Sequence, residues 1–291
     1  MTKAQSKSSG VVPFTEDLPI SWTKGVSFDG SEIYIPSDIV YYGQKTSENK
    51  IYIGHSSGIA AYSDSEEAQK RALTELIERD ALMRNWYSRK SPDIVNEEIL
   101  PIHIRKRIRH WAKQNRKLAI LQLPSDYGWV FESIIIGNEY PFFVSGAAAT
   151  IDPDLVENTI IKALQEAEYN LLLTLKNPKK SEISPQEVST PSDHGLVYYF
   201  QYNAKTISWL WKGVVEETFK NPKYFGYKKL LYVLETSTVD LSESNSTLKV
   251  VRVFSPKLVP INFGFNSAHY THPSLEGKIH PDSLKMPHYF A

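Results

Sequence analysis

From Asp64 to about Tyr87 the chain reads as one long amphipathic helix, and no other stretch constrains the fold as much. Asp64 or Ser65 can cap it, and glutamates fill its first turn. Ala68, Ala72, Leu73 and Leu76 fall on one stripe at helical spacing. A second helix is predicted from Asp152-Pro153, a cap followed by proline at the first helical position, to about Leu175. It carries Ile160, Leu164, Ala167 and Leu171 on one face. Strands are expected at LAILQLP (118–124), at WVFESIIIG and at YPFFVSGAAAT up to 150, with further strands at 229–237 and 248–254. IYIPSDIVYY (33–42) and IYIG (51–54) are also β-rich, and Pro36 marks the former as an edge or interrupted strand. A shorter helix is expected around 204–219. Strands and helices follow one another without regular alternation, which points to an α+β fold.

Length and composition set the outer limits. Residues 1–15 read as a flexible N-terminal arm and 16–291 as one domain, with 177–193 an exposed loop containing three prolines. Lys plus Arg and Asp plus Glu are both 33, so the whole chain presents no field of one sign to nucleic acid or an anionic membrane. The absence of cysteine removes disulfides, thiolate metal sites and thiol nucleophiles. No secretory signal or membrane span is visible, so a cytoplasmic protein is expected.

The sequence has no phosphate-binding glycine loop, no G-x-S-x-G elbow and no zincin histidine pair. His269, His272, His280 and His288 are too irregularly spaced to read as a metal site. Asp193-His194 reads as a helix cap beside a structural histidine, and Trp209 and Trp211 as core or interface aromatics. What remains is carboxylates on helices. Glu75 and Glu78, three residues apart, leave one face of the first helix, and Glu166 and Glu168 sit on the second. Facing helices with inward carboxylates could hold Mg²⁺, which takes oxygen ligands and bridges to phosphates. The plain alternative is a solvated face, in which Arg71, Glu75 and Arg79 form an i, i+4 ladder without function.

The stretch SSGIAAYSDSEEAQKRALTELIERDALMRNWY (56–87) resembles the central motif of the YcaO family, a small-residue loop followed by a helix bearing S-x-x-E-x-x-E-R. Here the motif reads Ala72, Glu75, Glu78, Arg79, with alanine in place of the serine. Asp80-Ala81 and Trp86 resemble the subgroup that modifies ribosomal peptides. Further similarities follow in order: Trp22, Gly25, Gly30 and Ile35-Pro36; SGAAATIDPDLVENTIIKALQEAEY (145–169); Asp193-His194; and VVRVFSPKLVPINFG (250–264).

The resemblance implies mainly antiparallel sheets packed with helices and an ATP site between helices. It implies that Glu75, Glu78 and Glu166 hold Mg²⁺, that Ser56, Ser57, Gly58 and Arg79 lie near nucleotide, and that Asn158 is a further candidate. The implied activity is ATP-dependent cyclodehydration of Cys, Ser or Thr in a precursor peptide to azolines. The alternatives are formation of a thioamide or an amidine, or a non-catalytic scaffold. Implied partners are the precursor peptide and a separate leader-peptide-binding or E1-like protein, with a dehydrogenase of the same pathway and a second copy of the chain as further candidates. Two features depart from the family pattern. Tyr169 stands where relatives carry Glu or Gln, with Glu168 about 100° away around the helix. The tail ends KMPHYFA in place of Pro-x-Pro-x-Pro.

Overall fold

The computed structural model describes residues 11–27, 29–41, 49–52, 54–178, 182–224, 232–235, 248–265 and 272–290. The elements are β1 (Trp22–Ser27), β2 (Glu32–Pro36), α1 (Ser37–Val40), β3 (Ile59–Tyr62), α2 (Ser65–Ser88), β4 (Asp93–Val95), α3 (Ile102–Lys113), β5 (Arg116–Leu123), β6 (Trp129–Gly137) and β7 (Phe143–Thr150). They continue with α4 (Val156–Lys176), α5 (Pro191–Tyr198), α6 (Gln201–Thr206), β8 (Val215–Glu216), β9 (Tyr232–Glu235) and β10 (Lys249–Phe254). One sheet runs β2-β1-β9-β10-β3, antiparallel throughout. The other runs β7-β6-β5-β4-β8, antiparallel except for the β4–β8 pair.

Helix α2 packs between the two sheets. Its Leu73, Leu76, Ile77 and Trp86 share one core with Val251 and Val253 of β10 and with Leu121, Val130 and Ile134 of the second sheet. The opposite face of that second sheet is closed by α3 and α4, through Ile104, Trp111, Ile160, Leu164 and Leu171 against Leu118, Ile120, Phe131 and Ile135. A strand covered on both faces must be apolar almost continuously, which is why WVFESIIIG reads as a run and not as an alternation. The one carboxylate in that run, Glu132, is therefore fully buried.

Strand β7 is an edge, and α4 covers it. The Glu166 carboxylate accepts from Ala147 N–H at 2.8 Å, and Asn170 Nδ2 donates to Ser145 C=O at 2.9 Å. Backbone groups that would otherwise form an open edge are thus taken by side chains. Gly146 permits this approach: a Cβ there would lie 2.6 Å from Ala163 O.

The long helices and the β5–β6–β7 meander lie where the sequence places them, and Asp64 caps α2 by accepting from Glu67 N–H at 2.8 Å. Pro36 ends an edge strand, as expected. Other expectations need correction. The 204–219 helix stops early: α6 ends at Thr206, a 3-10 turn covers Ser208–Trp211, and β8 follows. Gly213 lies against the Pro92 carbonyl so closely that no side chain fits, and the chain there must be extended to pair with β4. Of the IYIG stretch, Ile53 lies outside the described residues and Ile51, Tyr52 and Gly54 are not in a strand; the Tyr52 hydroxyl and His55 Nε2 lie 2.7 Å apart. The loop expected at 177–193 contains a 3-10 turn, Pro185–Glu187, and the first turn of α5. Of the expected N-terminal arm, residues 1–10 lie outside the described residues. From Val11 the chain is already held, because Val11 is buried and Val12 N–H donates to Lys50 C=O. The 229–237 strand is described only over Tyr232–Glu235.

The Asp193-His194 pair is structural. Asp193 completes a capping box with Thr190, and His194 Nε2 accepts from Gly264 N–H at 2.9 Å. Burial pushes His194 down to about 4, so it stays neutral. His272 and His280 cap 3-10 turns, His288 stacks on His194 with ring centroids 3.9 Å apart, and His269 lies outside the described residues. Among the described residues no helix is long and apolar enough to cross a membrane.

Glu132 makes stability depend on pH. Its Oε2 accepts from the Tyr289 hydroxyl at 2.9 Å, while Oε1 has no hydrogen-bond partner. Burial raises it from 4.5 to about 8, against the hydrogen bonds from Tyr289 and Ser145 and with a push from Glu166. Between those values the native chain keeps a proton that the unfolded chain releases, so stability is greatest on the acid side and declines as pH rises. Replacing Glu132 by Gln is expected to remove on the order of 5 kcal/mol of that decline, measured as urea midpoints across the interval.

Candidate active site

Glu78 is at the centre of the candidate site. It lies midway along α2, paired with Arg79 at 3.5 Å from Nε to Oε1. Desolvation dominates its titration and lifts it to about 8; Arg79 offsets part of this, while Glu166 and Glu75 push it further up. Those couplings put Glu75 and, from α4, Glu166 within electrostatic reach of Glu78, with Arg79 beside it. Glu75 and Glu166 are likewise raised by burial, and each is partly offset by Arg79 and by a backbone N–H.

The loop before α2 contributes its backbone. Gly58 N–H donates to Glu75 Oε2 at 3.0 Å, and its C=O accepts from Val253 N–H at 2.7 Å. Gly58 has φ +80, and a Cβ there would meet Val253 O, so glycine is required on two counts. Ser57 beside it is buried and Ser56 is exposed. The i, i+4 ladder of the plain reading is not formed: Arg71 pairs with Glu67 at 2.9 Å and lies over the Tyr62 ring, and Glu75 turns to the loop.

The remaining sequence candidates are dispersed. Asn158 is exposed in the first turn of α4, roughly 12 Å along the axis from Glu166. Glu168 faces away and binds Arg107 and, at 2.8 Å, Trp111 Nε1, which fixes α3 on α4. Tyr169 points to solvent. Asp80 and Trp86 serve the core. Asp80 holds Arg84 at 2.7 Å and accepts from Val259 N–H at 2.6 Å, while Trp86 packs edge-on to Tyr289.

Arg252 was not singled out by sequence reasoning. It lies on β10, buried, with Nη1 donating to His55 C=O at 2.7 Å and its charge felt by Glu75. Its Nε has no partner. A lone charge inside the apolar strand VVRVF was the available signal, because burying an unpaired charge is costly.

Among the described residues no three Asp, Glu or His side chains converge on one point. That is compatible with Mg²⁺ delivered on a nucleotide, since Mg²⁺ keeps waters and phosphate oxygens and needs only one or two carboxylates. The donors are all oxygen, and Arg79 and Arg252 add positive charge beside them. Oxygen donors flanked by arginines on and beside two helices suit a metal carried on a phosphate, with no glycine loop involved. A family model described as YcaO cyclodehydratase, ATP- and Mg²⁺-binding, matches residues 1–259. The chain belongs to the YcaO family, whose cofactors are ATP and Mg²⁺.

Solved structures agree on the fold. The YcaO protein from Methanopyrus kandleri, bound with AMPPCP and Mg²⁺, is 17% identical with a TM-score of 0.61, covering 92% of this chain and 70% of that one. In the E. coli microcin synthetase McbBCD complex with pro-MccB17 bound, the matching chain is 13% identical with a TM-score of 0.69, covering 94% and 73%. The heterocyclase TruD is 19% identical with a TM-score of 0.63, and this chain spans 40% of its length. No curated protein matches.

Proposed function

We propose that the chain uses Mg-ATP to activate backbone amides of a ribosomally made precursor peptide and closes Cys, Ser or Thr side chains onto them as azolines. The setting would be a bacteriocin or thiopeptide pathway in the cytoplasm. The observation that carries this reading is that Glu75 and Glu166 both lie within electrostatic reach of Glu78, with Arg79 beside it, in a chain of this family. Glu75, Glu78 and Glu166 would hold Mg²⁺. Arg79, the Ser56–Gly58 loop and Arg252 would lie along the phosphates, with Asn158 as an outlying candidate. Bound Mg-ATP supplies the phosphoryl group that converts the attacked carbonyl oxygen into a leaving group. The protein's part is to position that oxygen and neutralise charge, as in other phosphoryl transfers.

A separate leader-binding protein would present the peptide, in keeping with the multi-subunit microcin synthetase among the structural relatives. A dehydrogenase and a second copy of the chain complete the proposed assembly. The test combines the chain with its partner, the precursor and Mg-ATP and reads product mass together with the fragment ions that place each closure. Loss of one water per modified residue is expected. Exchange of oxygen for sulfur would assign thioamide formation, loss of water onto an amine would assign an amidine, and partner binding without nucleotide binding would leave a scaffold.

A further inference from the structure

Between Glu98 and Asp126 the chain carries seven Lys and Arg and no Asp or Glu, although its net charge is zero. Most of that run is α3, and burial sorts it into faces. Ile104 and Trp111 turn to the core, while Lys106, Arg109 and Lys113 leave the opposite side at helical spacing, all exposed. Two cations of the run are occupied, Arg107 by Glu168 and Arg116 by the carbonyls of Tyr140 and Pro141. Arg109 reaches Glu97 at 3.6 Å, an exposed pair of little strength. Lys106 and Lys113 have no ion pair among the described residues.

Helix α4 lies beside α3 and runs the same way: His103 is 3.7 Å from Glu157 near both N-terminal ends, and Trp111 Nε1 meets Glu168 farther along. The solvent side of α4 is polar at first, through Lys162 and Gln165, and then becomes apolar. Tyr169 and Leu172 are 64% and 57% exposed, with Leu173 beside them at 46%. A solvated helix keeps polar residues on that side, and contiguous apolar exposure marks an interaction surface. Because Glu168 binds α3 at Arg107 and Trp111, the patch at Tyr169 and Leu172 lies level with the end of α3, where Lys113 is. The two helices thus present unpaired cations and open apolar side chains next to each other.

The complement of such a face is a helix with one apolar stripe, to cover Tyr169 and Leu172, flanked by carboxylates that pair with Lys106 and Lys113. A second copy of the chain fits badly, since a two-fold contact through this face would gather the cations of both copies. A broad anionic surface, such as a membrane or a nucleic acid, also fits badly, because Glu98, Asp154 and Glu157 are exposed at the N-terminal ends of the same two helices. A helix of about three turns covers the cationic half and leaves those carboxylates in water. We infer that the outward face of α3 and α4 docks an acidic amphipathic helix of a partner protein. The face assigns this partner without reference to the chemistry of the site.

The test selects a displayed library of helical peptides on the full chain. Leucines are fixed at i, i+3, i+4 and i+7 spacing, and flanking positions are drawn from Glu, Lys, Gln and Ser. Glu-rich helices are expected to be enriched. Their binding, followed by fluorescence anisotropy, should weaken roughly tenfold on going from about 0.05 to about 0.5 M salt. Leu172→Ser should weaken it by a similar factor. Lys106→Glu combined with Lys113→Glu should abolish it and favour the Lys-rich version of the same peptide instead. All three positions are exposed, so urea midpoints should be unchanged and show that the variants fold. No enrichment, enrichment of neutral or Lys-rich helices, or equal binding by the charge-reversed variant would overturn the assignment. So would tighter binding to a DNA duplex, or to vesicles of about one-third phosphatidylserine in phosphatidylcholine, than to any selected helix. A self-associated chain whose dimer is dissolved by Leu172→Ser would assign the face to a second copy and overturn it too. No arm depends on Mg-ATP, so failure here leaves the proposed function standing.

Discussion

Glu78→Gln is expected to weaken Mg-ATP binding by more than about 100-fold, as measured by calorimetry, and to abolish ATP-dependent modification of the peptide. The substitution is nearly isosteric, so packing on α2 is preserved, and the effect is electrostatic. Glu78 is the carboxylate whose titration is raised by both Glu75 on its own helix and Glu166 on α4, so it couples the two halves of the candidate site. With its carboxyl raised to about 8 by burial and by those neighbours, the apo site keeps a proton near neutral pH. Metal binding must displace that proton, so affinity for Mg-ATP should rise with pH up to about 8 and then level off. The variant should lose this dependence along with the affinity. Its thermal stability should hold or improve, because a buried carboxyl is replaced by a neutral amide. Undiminished binding by Glu78→Gln would move the nucleotide away from α2.

Gly146→Ala is expected to destabilise the fold by about 3 kcal/mol, seen as a lower urea midpoint at unchanged slope. The added methyl would strike the backbone of α4 at Ala163 and Ala167 and the Cβ of Glu166. Backbone cannot rotate aside as a side chain does, so α4 must withdraw from β7 by roughly 1 Å. That withdrawal stretches the Glu166–Ala147 and Asn170–Ser145 bonds, which close the edge of the sheet. Glu166 shifts with the helix, so Mg-ATP affinity should fall even though no candidate ligand has been changed. A stable Gly146→Ala chain with full nucleotide binding would show that the close approach of α4 to β7 is dispensable.

Much of this architecture is legible in local pattern. Asp64 accepting from Glu67 N–H, the apolar stripe of α2 and the three apolar strands of the meander are all written in neighbouring residues and realised, whereas Asp152-Pro153 opens a 3-10 turn, Pro153–Leu155, and the second α-helix starts only at Val156. The weakest readings fall where local preference is overridden. The segment 204–219 has helical character, yet Gly213 must lie against Pro92 and Val215 must pair with Ile94, so the helix ends early. Ile51 and Tyr52 have strand propensity, but Tyr52 bonds to His55 and none of Ile51, Tyr52 and Gly54 is in a strand.

The candidate site divides along the same line. The spacing of Glu75, Glu78 and Arg79 already places them on neighbouring faces of one helix, because 3.6 residues per turn is a property of the backbone. The resemblance of their motif to a family pattern was readable in the same residues. The sequence by itself thus determined the α+β class, the two long helices and the group of side chains on α2. Only the tertiary structure decided that Glu166 would come within electrostatic reach of Glu78, that the Arg252 charge would be felt by Glu75, and that Glu132 would be shut away from water. Those outcomes depend on contacts between residues many tens of positions apart, and burial, which shifts a carboxyl, exists only once the sheets have closed around α2.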